Sequence, residues 1–263
     1  MSEFQPGLSV VLITKNEGHR LASCLRSVAF ADEIVVLDGA STDDTVAVAE
    51  AHGARVVVDP HWPGFGAQKN RVLEMASHEW VLSLDADESL TEELTRSVQE
   101  VVAGIAVGPP DSADGYNGYW IRRRSCFAGR PLRFGDWSSD RVLRLVRNGQ
   151  ARFSDVAIHE QLLCEAPVSQ LKGLLMHHTI GSMADARAKA WRYAQAGAPA
   201  VASRGRGGAV SAWLHGGWTF IRGAIFRLGL LDGRYGLMLA WANAYGTWLR
   251  YRMAGELRRT NRV

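Results

Sequence analysis

The feature that most constrains this chain is a repeated pairing, over its first hundred residues, of a short apolar run with a helical pattern. Residues 8–13, 33–37, 54–58 and 80–84 are four such runs, rich in Val, Ile and Leu. Apolar runs of this length without alternation mark strands covered on both faces. The intervening segments carry helical spacing. Leu21, Leu25 and Val28 recur within 17–28, and a second helix opens at Ser41 or Thr42, with Asp43 and Asp44 in its first turn, and stops at Gly53. A third covers 65–77, and a fourth runs from Thr91 to Val102 before Gly104 and a Pro109-Pro110 loop. Strands separated by helices pair in parallel through right-handed crossovers. The expected fold is therefore α/β, a Rossmann-like, mostly parallel sheet with flanking helices.

In such sheets a ligand sits beyond the carboxyl ends of the strands. Three polar clusters fall there: Thr14-Lys-Asn-Glu17, Asp38-Gly-Ala-Ser41 and Asp85-Ala-Asp-Glu88. Asp85 and Asp87 repel each other unless a cation lies between them, and hard oxygen ligands select Mg²⁺ or Mn²⁺. The bland alternative is a loop whose acids cap the helix near Thr91. Asn16, Glu17 and Asp38 can accept hydrogen bonds from a nucleoside. Lys69 and Arg71, in Gln68-Lys-Asn-Arg71, can balance a diphosphate, or can simply form a solvated helix face. No GxGxxG and no Walker A sequence is present, which argues against a dinucleotide site and a P-loop NTPase.

From residue 116 the texture changes. Residues 116–127 read as a strand or hairpin, and 122–152 hold nine Arg with few acids, suited to an anionic acceptor or to a salt-bridged sheet face. His159, beside Glu160, is a metal-ligand or diphosphate candidate, or a structural histidine. His177-His178 read as structural. Residues 183–202 form an Ala-rich helix and 203–208 a flexible basic hinge. Two amphipathic helices follow, with Leu214, Trp218, Ile221, Ile225 and Leu228 on the first and Leu237, Trp241, Ala244, Trp248 and Tyr251 on the second.

Composition matters most for this tail. The net charge of +3 hides a division: residues 203–263 hold ten Arg against Asp232 and Glu256, or +8, which leaves −5 on residues 1–202. Four of the nine Trp also lie in the tail. A basic, Trp-rich helical segment suits a polyanion or a bilayer interface, or packs on the body of the protein. The expected organisation is a catalytic domain over 1–202 and a helical appendage over 203–263. The N-terminus lacks the basic and apolar regions of a signal peptide, no run reaches the ~18 apolar residues of a spanning helix, and the three cysteines show no CxxC. The expectation is a cytoplasmic protein.

The motifs Leu-Ser-Val-Val-Leu-Ile-Thr-Lys-Asn-Glu (8–17), Asp-Gly-Ala-Ser-Thr-Asp-Asp-Thr (38–45), Gln-Lys-Asn (68–70) and Leu-Asp-Ala-Asp-Glu (84–88) together resemble the family 2 glycosyltransferases. More narrowly, the chain is similar to their lipopolysaccharide core β-1,4-glucosyltransferase branch, from about residue 8 to 180. The resemblance implies a GT-A fold and an inverting, metal-dependent transfer from a nucleotide sugar, with UDP-glucose as the default donor. It implies that Asp38 and Glu17 hold the nucleoside, and that Asp87 is the chief metal ligand with Asp85 beside it. Thr14, Asn16, Gln68, Lys69, Arg71 and Asp85 complete the expected donor site. The implied acceptor is an inner-core sugar of lipopolysaccharide or another glycolipid, met at the inner-membrane surface; no nucleic acid partner is expected.

Inverting transfer requires a carboxylate to take the acceptor proton. Glu160 is the first candidate and Asp140, in Asp136-Trp-Ser-Ser-Asp-Arg141, the second. Two other readings are weighed. Asp85-x-Asp87 with Asp140 faintly resembles haloacid dehalogenase-type phosphatases, in which the first Asp is a nucleophile. A nucleotide-binding membrane adaptor without catalysis is the other.

Overall fold

The computed structural model describes residues 4–105, 115–137, 140–154 and 160–260. The Pro109-Pro110 loop and His159 lie outside them. The chain divides into two compact units, Met1–Arg123 with Asp140–His177, and Arg124–Ser139 with His178–Val263.

The first unit begins as the sequence predicts. β1 (Gln5–Thr14), α1 (Gly18–Ser27), β2 (Glu33–Asp38), α2 (Thr45–Ala51), β3 (Arg55–Val58), α3 (Phe65–Leu73) and β4 (His78–Leu84) alternate, followed by β5 (Glu88–Leu90) and α4 (Glu92–Val102). Strands β3-β2-β1-β4 are parallel neighbours. Alternate residues of each strand enter opposite cores. Val10 and Leu12 pack with Leu21 and Leu25 of α1 and Leu94 and Val98 of α4, whereas Val11 and Ile13 pack with Val72 and Leu73 of α3. Both faces are thus covered, which is why these strands read as unbroken apolar runs.

Two local expectations change. Ser41 and Thr42 do not cap α2, which starts at Thr45 behind Asp44 with no side-chain cap. Their groups are already engaged by Asp38 and Asn16. The helix expected over 65–77 ends at Leu73. Thr91 does cap α4, its hydroxyl accepting from the Leu94 N–H.

Beyond residue 115 the described strand pairings are antiparallel. β6 (Gly118–Phe127), β7 (Arg130–Pro131), β8 (Asp140–Arg147), β9 (Ala151–Phe153), β10 (Leu162–Cys164) and β11 (Val168–Ile180) follow without crossover helices, and short links permit only antiparallel neighbours. The order continues β4-β8-β6-β11-β5, with β9 and β10 a separate pair. β6 and β11 each start in the first unit and end in the second.

The second unit is built on α5 (Met183–Ser203), α6 (Ala209–Ile221) and α7 (Gly233–Thr260), with a π turn at Arg222–Phe226 and a 3₁₀ turn at Gly229–Asp232. The basic hinge is instead tied down. The Gly208 N–H donates to the Tyr251 carbonyl at 2.9 Å, and a Cβ on Gly207 would stand 2.7 Å from the Gly255 nitrogen. The apolar stripe of α6 does not face inward. Ala212, Gly216, Gly223 and Ala224 are buried, while Leu214 (68%), Trp218 (56%) and Ile225 (54%) stand exposed. No helix among the described residues is long and apolar enough to cross a membrane.

Glu33, at the start of β2, ties β1, β3 and the β4 approach together. It accepts from Ser9 Oγ (2.6 Å), Arg55 Nη2 (2.9 Å), and Ser77 N–H (3.0 Å) and Oγ (2.9 Å). Burial pushes its carboxyl up, but these bonds outweigh it and hold it at about 2. A lowered folded pKa gives stability that is present above the unfolded value and lost as pH falls through the folded one. We expect Glu33→Gln to cost about 1–3 kcal/mol at neutral pH. It also flattens the loss of stability between about pH 4.5 and 2. Urea denaturation at several pH values measures both; an unchanged slope refutes the assignment.

Candidate active site

Strand register brings the three polar clusters to one sheet edge, since Thr14 is opposite Asp38 and Leu12 opposite Leu84. Asp38 is fully buried and accepts from Thr14 Oγ1 (2.8 Å), Ser41 Oγ (2.6 Å) and the Ser41 N–H (2.7 Å). Asn16 donates its N–H to Ser41 Oγ and accepts from the Thr42 N–H through its side-chain oxygen, both at 2.8 Å. The Glu17 N–H donates to Thr45 Oγ1 at 2.8 Å. Thr14, Asn16 and Asp38 therefore lace the loops after β1 and β2 to each other. Two non-glycine residues here are left-handed, Asn16 (φ 58°) and Ala40 (φ 61°). Such conformations cost roughly 1–3 kcal/mol and persist where surrounding bonds over-determine them, as they do here. The Glu17 carboxyl is raised by burial, with Arg20 pulling it down and Asp87 adding to the rise.

After β4 the acids meet cations in an unbroken chain. Glu160 contacts Lys69 Nζ at 3.0 Å, and Lys69 contacts Asp85 at 2.8 Å. Arg144 bridges Asp85 (2.6 Å) and Glu88 (2.8 Å), and Arg123 bridges Glu88 (3.2 Å) and Asp140 (2.7 Å). Lys69, Glu88 and Arg144 are buried, whereas the Asp140 side chain is 55% exposed. Burial pushes the Asp85 carboxyl up, but Arg144 and Lys69 override it and hold it far below the usual carboxylate range. Burial likewise opposes charge on the two guanidiniums, yet Asp85 and Glu88 raise Arg144, and Asp140 and Glu88 raise Arg123. Both candidate bases thus belong to one network, at its opposite ends.

Asp87 stands apart from this chain. Its Oδ2 lies 3.3 Å from His177 Nε2 and 3.8 Å from Arg20. Burial raises its carboxyl, while His177 and Arg20 bring it down against the opposing charge of Asp85. His177, read from sequence as structural, reaches this place because β11 pairs with β5 in a register that sets it opposite Glu88. Two donors, one oxygen and one nitrogen, fit a divalent ion whose shell is completed by substrate oxygens and water. No group of three or more such ligands exists among the described residues. Asp85, paired to both Lys69 and Arg144, is less available than Asp87.

Of the remaining basic candidates, Arg71 is turned aside. It pairs with Asp59 and donates to the His61 carbonyl and to Gln68 Oε1. Gln68 is buried, and its amide nitrogen has no partner among the described residues. The Arg-rich stretch supplies ion pairs at Arg123, Arg144 and Arg147, the last with Glu79. Glu88 was read only as a member of the cluster after β4, and Arg144 only as one of the nine arginines of 122–152; its position at the centre of the apolar strand β8 was the signal that sets it apart.

A family model described as Glycosyl transferase family 2 matches residues 9–161. A Rhizobium meliloti protein named lipopolysaccharide core biosynthesis glycosyltransferase LpsC is 30% identical over 177 residues, 65% of this chain and 62% of that one. An uncharacterised glycosyltransferase of Rickettsia conorii is 44% identical over 97 residues, so this chain spans 34% of its length. Among solved structures, glucosyl-3-phosphoglycerate synthase from Mycobacterium tuberculosis, in complex with Mn²⁺, uridine diphosphate and glucosyl-3-phosphoglycerate, is 29% identical. That match covers 46% of this chain and 44% of that one, with a TM-score of 0.33.

The buried centre of the ion-pair chain has a measurable consequence. Arg144→Met leaves Glu88 buried with Arg123 alone, and we expect a loss of about 3–5 kcal/mol in urea denaturation. Adding Glu88→Gln is expected to restore part of it, because the two residues share one network. Additive losses in the double variant would contradict this coupling.

Proposed function

Because the chain belongs to glycosyl transferase family 2, we propose that it moves a hexose, with inversion, from a nucleoside-diphosphate sugar to a hydroxyl of a glycolipid acceptor. The observation that carries this reading is the Asp87–His177 pair, 3.3 Å apart, at the sheet edge where the β1 and β2 loops also end. Asp87 and His177 would hold Mg²⁺ or Mn²⁺, with Asp85 close by, and the ion would supply positive charge against the departing diphosphate. Asp38 and Asn16 shape the nucleoside end of the site through the laced loops, and Glu17 offers its carboxylate there. Gln68 supplies an unpaired amide. Arg71, tied to Asp59, borders rather than forms the diphosphate site.

In the transfer, the acceptor oxygen bonds to the anomeric carbon as the bond to the diphosphate breaks and a carboxylate takes the acceptor proton. Glu160 is favoured as that carboxylate because it shares Lys69 with Asp85 at the donor site. A diphosphate entering beside Lys69 competes for the ammonium and frees Glu160 to accept a proton. Asp140 is largely solvent-facing and held by both its oxygens to Arg123. The phosphatase alternative loses its footing here, since its nucleophile would be Asp85, whose oxygens are engaged by Lys69 and Arg144.

The similarity to the Rhizobium protein, named for lipopolysaccharide core biosynthesis, supports a lipopolysaccharide core sugar as acceptor. Glucose, from UDP-glucose, is the transferred sugar that the resemblance of the motifs at 8–17, 38–45, 68–70 and 84–88 suggests. The exposed Trp213, Leu214 and Trp218, with ten tail arginines, support attachment of residues 203–263 to the cytoplasmic face of the inner membrane, the catalytic part lying in 1–202.

A panel of nucleotide sugars, read by metal-dependent hydrolysis and thermal stabilisation, tests the donor; UDP-glucose is expected to give the largest response. Asp87→Ala abolishes the metal dependence of both readouts. Glu160→Gln lowers kcat by about 10²–10⁴-fold, while Asp140→Asn leaves it nearly unchanged. The reverse order makes Asp140 the base, and metal-dependent turnover surviving in Asp87→Ala removes the pair from the mechanism.

A further inference from the structure

The second unit contains a cleft of its own, about 480 Å³ in volume, among the π turn after α6, α7 and the segment before β8. Its walls carry three guanidiniums, Arg222, Arg227 and Arg250, but a single carboxylate, Asp136. Asp136 is half-buried and already shared: Arg222 Nη2 lies 3.2 Å from Oδ2, Arg227 Nε 3.7 Å from Oδ1, and the Asn243 amide donates to Oδ2 at 3.4 Å. Arg250 has no salt bridge among the described residues. Its stem lies against Gly197, where a Cβ would come within 3.0 Å of its Cδ. The Nε atoms of both Arg222 and Arg250 are buried with no hydrogen-bond partner among the described residues.

Three cations against one anion around one open cleft repel one another and leave donors unmet, an arrangement that a bound anion corrects. The forked guanidinium matches phosphate and carboxylate oxygens alike, but one fork satisfies a carboxylate, whereas a phosphate presents more oxygens than one fork covers. Thr219, Thr247 and Asn243 add neutral polar groups to the wall. The volume lies within the usual range for small-molecule sites, roughly 300–1,000 Å³. The helix and turn that supply Thr219, Arg222 and Arg227 also expose Trp218, Ile225 and Phe226, which suits a phosphate carried on an apolar body.

We propose that this cleft binds the phosphate group of a phosphate ester, with Arg250 and Arg227 as its principal ligands and a lipid as the carrier. The assignment does not depend on the transfer reaction, because none of its residues belongs to the site at the β4 end. Full-length protein and the variants Arg250→Gln and Arg227→Gln are titrated with glycerol phosphate, followed by thermal shift, and with vesicles of phosphatidylcholine with or without phosphatidic acid. The expected result is saturable stabilisation by glycerol phosphate, weakened about tenfold or more in each variant, and a matching loss of binding to phosphatidic acid vesicles. Loss with glycerol phosphate alone keeps the phosphate site but makes its ligand soluble and overturns the lipid carrier. Equal response of wild type and variants to both probes overturns the site. Should Arg250→Gln fail to fold, Arg227→Gln, whose side chain is 56% exposed, decides the outcome.

Discussion

Arg144 is the residue on which the candidate active site rests. It is buried within β8 and holds Asp85 and Glu88, which lie on either side of Asp87 in sequence. A charge in such a position is costly unless it is fully paired, and pairing at both ends fixes the loop after β4 in one conformation. Lys69 and Arg123 extend the same constraint outward to Glu160 and Asp140. The carboxylates are thereby divided into two kinds. Asp85 and Glu88 are neutralised by protein cations and serve as framework. Among the described residues, Asp87 pairs with His177 and the more distant Arg20, and would be the one open to an external cation under the proposed function.

A second constraint comes from the loops after β1 and β2. Thr14, Asn16, Asp38, Ser41 and Thr42 hydrogen-bond among themselves, and two residues accept left-handed backbone angles in the process. Residues that look in sequence like a set of ligand contacts are, in the structure, a preformed wall. Under the proposed function, such a wall would receive a nucleoside without reorganising. Glu17, at the end of the first loop, retains a carboxyl that none of these bonds occupies.

What the sequence disclosed and what it withheld follow from packing. The parallel strands were legible because both faces are covered, and the polar clusters were legible because each ends such a strand. Of the antiparallel half, the strand at 116–127 was legible and the rest was not, because its strands mix arginines with apolar residues: Arg144, wholly buried, sits in the same pattern as Arg141, which is exposed. His177 was withheld for a different reason, since only the β11–β5 register brings it to Asp87. Helical periodicity located α6 and its apolar stripe but left open which way the stripe faces, because a helix lined with Ala and Gly can bury its small side and leave the large one outside.

The outward stripe of α6 leaves large apolar side chains at the surface of the protein. In water the outward Trp, Leu and Ile side chains order the solvent against them, a penalty that contacts such as Trp218 with Phe226 relieve only in part. Against any apolar boundary the same side chains would be covered while every helix stayed where it is, since the Ala and Gly side already holds α6 to α7.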